Sequence, residues 1–469
     1  MKVKSKKNLG LCTFNFALCT LFMANLSKLG VVCLGRLTFD HELAVQWYAQ
    51  TRAKLAQLHG VEITAIEPLV IELPDADAAI AQLQAANIDA LLLINGTFAL
   101  GGLAMSLGKA LNVPMLLWAW HEPAEQTGKL RLNSLVGVNV NTSNLYKLGF
   151  RPQTLYTAHD NADALRKIGN FARAAAAIQD LNGLRVGMIG GHAPGFDNLA
   201  VNKMALRKQL GVEVVEVGLQ TLILAANAQS TTSQPPALAP SDEFDDISEA
   251  SETQLSKYDA LVMGARSLAA QQKFDVLTLK CWGDLAEQYG IAGCGAVSVL
   301  TSGGLITGCE GDVLGAVTMR IGEQLTGDKA VLMDLVSTDA ASNTALFWHV
   351  GCAPVCLAAA GQPKHLFSHF AGGKGLTAGF GLRPGRVTII RVGDDGENLR
   401  ILAATGTALD TAMHIRGTVS RVQLDSDVGA FLHEVLANGW EHHVVLAYGE
   451  VVPELQAIGQ MLGVPVITK

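Results

Sequence analysis

The sequence predicts an α/β protein, with two successive α/β units built on parallel sheets and then a smaller β-rich, barrel-like C-terminal region. Three observations predict it. From Leu29 onward, short β-branched runs alternate with helical periods, the pattern of a parallel sheet covered by helices on both faces. At Leu184 the alternation restarts after a helical run over residues 161–181. From about Asn343, helical periods give way to short β runs between Gly and Pro turns, which predicts a small antiparallel sheet or barrel. A length of 469 residues suits two to four domains, and 49% hydrophobic with 16% charged residues is ample for several cores.

The first residues form a segment of their own. MKVKSKK followed by NLGLCTFNFALCTLFMA imitates the basic and apolar regions of a secretory signal. Asn15 and several Thr interrupt the apolar part, and Phe22 stands where a small residue is wanted before a cut after Ala24. Residues 1–28 therefore read as an N-terminal extension, signal-like or the product of a mis-assigned start, with Met23 opening a cytoplasmic protein. The segment is too short and too polar to span a membrane. The first domain, residues 29–182, then runs LGVVCL, a helix over 41–58, VEITAIEPL, a helix over 76–86, DALLLIN, a helix over 103–111 and VPMLLWAW. It is doubly wound. Its strand ends carry Arg36, Asn95-Gly96-Thr97 and His121-Glu122, where such sheets bind ligands, so contact with a substrate or a neighbouring subunit is expected there.

The second domain, residues 183–342, opens on LRVGMIGGHAPGFDN. Gly187, Gly190 and Gly191 have the spacing G-x-x-G-G, which is not the dinucleotide pattern G-x-G-x-x-G. A tight strand-to-helix turn is expected instead, with His192 and backbone amides facing a polar ligand. Residues 228–253 are polar, Pro-containing and acidic, and read as a solvated loop without chemistry of its own. A helix over 259–271, the strand FDVLTLKCW with Lys280 and Trp282 at its end, and a helix over 283–289 follow.

The domain closes on the stretch around which the chemistry gathers. Glu310 comes directly after a Gly- and Thr-rich turn, Val313, Val317, Ile321 and Leu325 mark a helix, and Asp334 stands at the end of a short apolar strand. Both acids are expected to emerge near one another at the lip of a sheet. In such apolar surroundings their burial is costly unless something positive meets them, and a divalent cation is one such partner. The alternative is that Glu310 caps the next helix and Asp334 merely ends a strand.

The third domain, residues 343–469, contains ALFWHVGCAP, RVTIIRV, GENLRILAATG and TVSRVQL, then a helix over 428–438, GWEHHVVLAYGEV, a helix from Glu454 and the strand PVIT. His349 and His443 are its candidate functional residues. In an extended backbone His442 and His443 point opposite ways, so at most one of them is expected to face a site. The net charge of −7 leaves no broad basic face for nucleic acid. The eight cysteines are scattered through apolar segments without framework spacing, as reduced, buried thiols are.

LKCW, CEGD with Asp334 placed 24 residues beyond its Glu310, FWHVGCAP and HHVVLAYG together resemble the L-fucose isomerase and L-arabinose isomerase superfamily, over roughly residues 29–469. The resemblance implies two Rossmann-like doubly wound domains, a β-rich C-terminal domain and an aldose–ketose isomerase that uses Mn2+ or another divalent cation in a homo-oligomer, a hexamer or trimer. It implies Glu310 and Asp334 as metal ligands and acid/base pair, and His443 as the metal histidine. His349 is similar in placement to an additional histidine of the arabinose branch, and His192, Lys280 and Trp282 stand as possible substrate contacts. The second acid is Asp, as in the fucose branch, while the C-terminal portion looks shorter than that branch's, and the sugar is left open among a pentose, a deoxyhexose and an acidic sugar. For an anionic sugar, Lys280, His192, Arg383 and Arg386 are the available cations.

The residue types suit that reaction independently. Moving a carbonyl from C1 to C2 through an enediol needs a base and an acid beside adjacent carbons, and two carboxylates with one imidazole suit a hard divalent ion. A non-catalytic sugar-binding or regulatory protein would not need Glu310, Asp334 and His443 to meet. A nicotinamide oxidoreductase is disfavoured by the glycine spacing.

Overall fold

The computed structural model describes residues 26–124, 128–230, 239–369 and 373–469. The signal-like stretch of the extension lies outside the described residues. The first sheet is assembled from β1 (Ser27–Leu34), α1 (His41–Leu55), β2 (Val61–Ala65), α2 (Leu73–Ala86), β3 (Ala90–Asn95), α3 (Gly101–Leu111), β4 (Met115–Trp120), α4 (Ser134–Lys147), β5 (Gln153–Thr157) and α5 (Ala162–Leu181). The strands are parallel in the order β2-β1-β3-β4-β5. β3 and β4 are buried along their whole length, because helices cover both faces and every side chain of a central strand meets apolar surface. The sequence pattern did not reveal α4 and β5, whose alternating Asn, Thr and Ser weaken the apolar period.

The second sheet has four parallel strands in the order β7-β6-β8-β9. Its elements are β6 (Arg185–Ile189), α6 (Lys203–Leu210), β7 (Glu213–Val217), α7 (Leu219–Ser230), α8 (Glu252–Gln272), β8 (Val276–Leu279), α9 (Asp284–Gln288), α10 (Cys294–Ser302), β9 (Thr307–Cys309) and α11 (Val313–Thr326). Two expectations change here. α8 starts well before residue 259, because Ser251 and Gln254 form a capping box that fixes its first turn. The acidic stretch before it is not merely solvated. Ser241 is buried and its backbone N–H donates to Asp259 at 2.8 Å, and the backbone N–H of Asp245 donates to the carbonyl of Lys364 at 2.8 Å.

The remaining elements are β10 (Ala330–Asp339), β11 (Thr344–His349), β12 (His365–Ser368), β13 (Leu376–Gly381), β14 (Gly385–Asp394), β15 (Leu399–Leu409), β16 (Thr418–Leu424), α12 (Val428–Ala437), β17 (His443–Tyr448), α13 (Val452–Leu462) and β18 (Val466–Thr468). They form one nine-stranded mixed sheet, in which β16 also pairs with β15. That extra pairing closes β16, β11, β10, β17, β14 and β15 into an antiparallel ring. The C-terminal region is thus a barrel with β12, β13 and β18 as outer additions. β10 is one of its staves. Asp334 is therefore mid-strand in the ring, where the sequence suggested the end of a strand continuing the second sheet, and the reason is β10's pairing with β11 and β17 on its two sides.

One hydrophobic core runs without interruption from the second sheet into the ring, whereas the first sheet keeps separate cores on its two faces. α11 joins the two parts of the continuous core and is buried over nearly its whole circumference.

Candidate functional site

The site begins where β9 ends. Glu310 has φ 59° and Gly311 φ 80°, so two consecutive residues take the left-handed conformation and the chain reverses sharply into α11. A non-glycine residue in that region stores strain. The position after it admits only glycine, since a Cβ on Gly311 would lie 2.2 Å from the Gly191 carbonyl oxygen. The turn is held by Ala193 N–H donating to the Glu310 carbonyl at 2.9 Å and Gly311 N–H donating to the Leu279 carbonyl at 3.1 Å. The Gly190-Gly191 turn after β6 is thus a backbone platform for Glu310. No helix follows it directly, because α6 begins only at Lys203, so the expected helix N-terminus at His192 is absent. The ring of His192 lies 3.5 Å from Asp197.

Asp312, not Glu310, caps α11, accepting from Gly315 N–H at 2.7 Å. The same carboxylate meets the guanidinium of Arg391, at 2.5 and 3.2 Å, and accepts from Nδ1 of His443 at 2.9 Å. Asp312, Arg391 and His443 are all fully buried. Burial would push the Asp312 carboxyl up, but the Arg391 charge and the His443 hydrogen bond outweigh it and hold it far below the usual carboxylate range. Burial in turn holds the His443 imidazole below its ordinary value, against the pull of Asp312. A neutral ring that donates through Nδ1 keeps its Nε2 unprotonated, with the lone pair directed into the site. This is the arrangement by which a carboxylate orients a ligating histidine.

Nε2 of His443 points at two acids. It lies 3.5 Å from Glu310 Oε2 and 3.5 Å from Asp334 Oδ1. Strand register explains the second contact, because Asp334 of β10 stands directly opposite His443 of β17 and opposite residues share one face. Oδ1 of Asp334 is buried and has no hydrogen-bond partner among the described residues. Glu310 is steadied from both sides, by Trp282 Nε1–H at 3.1 Å on Oε1 and by His442 Nε2 at 3.4 Å from Oε2. Although burial pushes its carboxyl up, the His442 hydrogen bond and the imidazoles of His349 and His443 hold it below its ordinary range.

The expectation that His442 and His443 cannot share a site is overturned. Their ring centroids are 4.1 Å apart, since His442 lies in a bend before β17 and the alternation of an extended strand does not apply to it. His349 also arrives, with Nε2 at 3.2 Å from His443 Nε2. Its Nδ1 accepts Val350 N–H at 2.8 Å, which places the ring proton on Nε2 and makes His349 a donor toward the site.

The other expected cations are spent elsewhere. Lys280 pairs with Asp284 at 2.5 Å, Arg383 with Asp328, and Arg386 with Asp425 and Glu450. Two groups escaped the sequence reading, Asp312 and Arg391. A signal for the second was present, since an Arg amid Ile389, Ile390 and Val392 in a strand must be paired if buried.

Glu310, Asp334 and His442 reach a cavity of about 310 Å³ walled by Phe196, Leu432 and Trp440. Ligating atoms of Asp334, His349 and His443 lie within 4.8 Å of one another, as do those of Glu310, His442 and His443. Two carboxylates, one unpartnered oxygen and an oriented imidazole lone pair make a donor set suited to a hard divalent cation.

Comparisons with known proteins place the chain among sugar isomerases. Residues 30–182 match the family model for the fucose/sulfoquinovose isomerase N-terminal domain, and residues 353–469 match that for the L-fucose isomerase C-terminal domain. The chain is similar to the sulfoquinovose isomerase of Clostridium sp. (strain MSTE9), 31% identical over 379 residues, covering 79% of this chain and 84% of that protein. It is also similar to the sulfoquinovose isomerase of Priestia aryabhattai, 29% identical over 443 residues, covering 92% of this chain and 96% of that one. A third similar protein, the sulfoquinovose isomerase of Alkalicoccus urumqiensis, is 28% identical over 381 residues, covering 81% and 86% of the two chains.

Proposed function

The chain belongs to the fucose/sulfoquinovose isomerase family within the L-fucose isomerase superfamily, and from that premise we propose that it is a divalent-cation-dependent aldose–ketose isomerase acting on a sulfonated hexose. The observation that carries the reading is the convergence of Glu310 and Asp334, from separate elements, on His443, each with an oxygen 3.5 Å from its Nε2. Glu310, Asp334 and His443 would hold the cation, which we assign as Mn2+. When bound there, such an ion would supply Lewis-acid polarisation of the sugar carbonyl.

The protein's own groups account for the proton. A carboxylate removes it from the carbon beside the carbonyl and returns it to the neighbouring carbon through an enediol, and Glu310 and Asp334 share that task. Trp282 and His442 keep Glu310 aimed, and the low proton affinity of its carboxyl keeps it ionised. His349, donating through Nε2, is suited to a sugar oxygen and not to ligation. His442 is the basic side chain in the cavity wall. His442 is our candidate for meeting a sulfonate, the anionic group of the sugar for which the sulfoquinovose isomerase relatives are named.

We extend the proposal to a cytoplasmic homo-oligomer, hexameric or trimeric. Free cysteines, six among the described residues, support a reducing compartment, and the exposed Leu135, Val136, Tyr146 and Tyr156 support a covered face. The test is to strip divalent ions with a chelator, restore Mn2+, and assay ketose formation from sulfoquinovose, L-fucose and L-arabinose. We expect activity to vanish and return, with sulfoquinovose preferred. Turnover indifferent to chelation, or ketose from none of the sugars, would overturn the proposal.

A further inference from the structure

Beneath Glu310 lies a group of side chains that the isomerisation does not use. Four of the six described cysteines converge there. Cys281 follows β8, Cys294 opens α10, Cys309 ends β9 and Cys352 follows β11. All four are buried. The sulfurs of Cys281, Cys294 and Cys309 lie within 4.8 Å of one another, and those of Cys309 and Cys352 share a second such group with His349. The sulfurs of Cys281 and Cys309 are 2.9 Å apart.

We propose that Cys281, Cys294 and Cys309 form a second cation site, for a soft thiophilic ion such as Zn2+, with Cys352 available as a fourth thiolate. The ligand class separates it from the centre above it. Carboxylate oxygens select hard ions and thiolate sulfur selects soft ones. A zinc ion with bonds of about 2.3 Å in tetrahedral geometry holds its sulfurs roughly 3.8 Å apart. The trio reaches that spacing if Cys281 and Cys309 part by under an ångström while Cys294 stays in range. The absence of solvent at all four side chains marks a closed, structural site and not one that opens to a substrate.

Its effect on the neighbouring centre follows from chain connectivity. Cys281 immediately precedes Trp282 and Cys309 immediately precedes Glu310, and Trp282 donates to Glu310 at 3.1 Å. An ion joining Cys281 to Cys309 therefore ties together the ends of β8 and β9 that aim the carboxylate.

The full chain, purified under reducing conditions and refolded with Co2+ as the probe, tests the site. Expected is about one equivalent of ion giving sulfur-to-metal charge-transfer absorption. The band should persist in a Glu310→Gln, Asp334→Asn double variant, so that failure of the isomerase reading leaves this result unaffected, and it should be diminished in Cys294→Ala, which removes one of its thiolates. Should Cys294→Ala fail to fold, the wild-type chain decides the matter, because it should retain about one zinc through dialysis against a chelator that empties the open, carboxylate centre. No charge-transfer band, no retained zinc, or an intact mass two hydrogens low from a Cys281–Cys309 disulfide would each overturn the proposal.

Discussion

The first and second sheets are both parallel and both covered by helices, yet they use their strand ends in opposite ways. At the ends of β1, β3 and β4, polar groups satisfy their own chain. Thr97 accepts Arg36 N–H at 2.8 Å, Ser134 accepts Trp120 N–H at 2.8 Å, and Glu122 accepts the N–H groups of Arg131 and Leu132 at 3.2 Å. At the end of β9, the polar groups point away from their own sheet, toward a ring of strands that supplies His443, Asp334 and Arg391. The lesson is that strand ends become chemically available when a second layer brings complementary groups that the local backbone cannot supply. Of the expected ligand contacts, Thr97 and Glu122 find internal partners, while Asn95 accepts from Asn141 at 3.4 Å and its Nδ2 has no partner among the described residues.

This contrast can be broken most forcefully at the acid itself. Glu310→Gln should lower turnover by about 10³-fold, within the range for loss of a positioned acid/base group, while circular dichroism and the melting midpoint stay near wild type. An unimpaired variant would remove Glu310 from the chemistry. Next comes charge. Arg391→Met leaves Asp312 buried without its cation and should cost about 3–5 kcal/mol in urea unfolding. Arg131→Met, which removes the half-exposed pair with Asp40 at 2.7 Å in the first unit, should cost at most about 1 kcal/mol. Equal costs would show that the two regions do not differ as described.

Backbone strain sharpens the comparison on a smaller scale. Gly311→Ala faces both a φ of 80° and a backbone oxygen 2.2 Å from the new Cβ, and should destabilise by about 3 kcal/mol. Gly60→Ala has φ 72° with nothing within 4 Å, and should cost only about 1 kcal/mol. The smallest effect expected is in pH dependence. Leu43 N–H and Arg131 hold the Asp40 carboxyl below its ordinary value. A carboxyl depressed by folding contributes stability above its unfolded pKa, and that contribution fades as pH falls through the folded value. Asp40→Asn should therefore flatten the stability profile slightly below about pH 4 and lower it by a small constant amount near neutrality, the two proteins converging in acid.

Much of this was legible in the sequence where the signal is local. The apolar runs of β1, β3 and β4 and the helical period of α11 follow from side-chain periodicity alone, and Glu310, Asp334 and His443 stood out as polar groups in apolar stretches. What escaped depends on pairing between distant segments. That Asp334 lies within a stave of the ring is decided by β17, far along the chain. That His442 joins His443 is decided by a bend that no alternation rule contains. The pairing of Asp312 with Arg391 was half visible, as an acid before an apolar helix and a lone Arg in an apolar strand, but nothing local says that the two meet.

The position of β10 has a consequence for dissecting the molecule. It is drawn from sequence that precedes residue 343, yet it fills the place between β11 and β17. A fragment beginning at the apparent start of the C-terminal region would inherit a torn cylinder, with two bare edges facing one another across a missing stave. Such edges invite strands from other molecules, so cuts intended to isolate the barrel should be made upstream of Ala330.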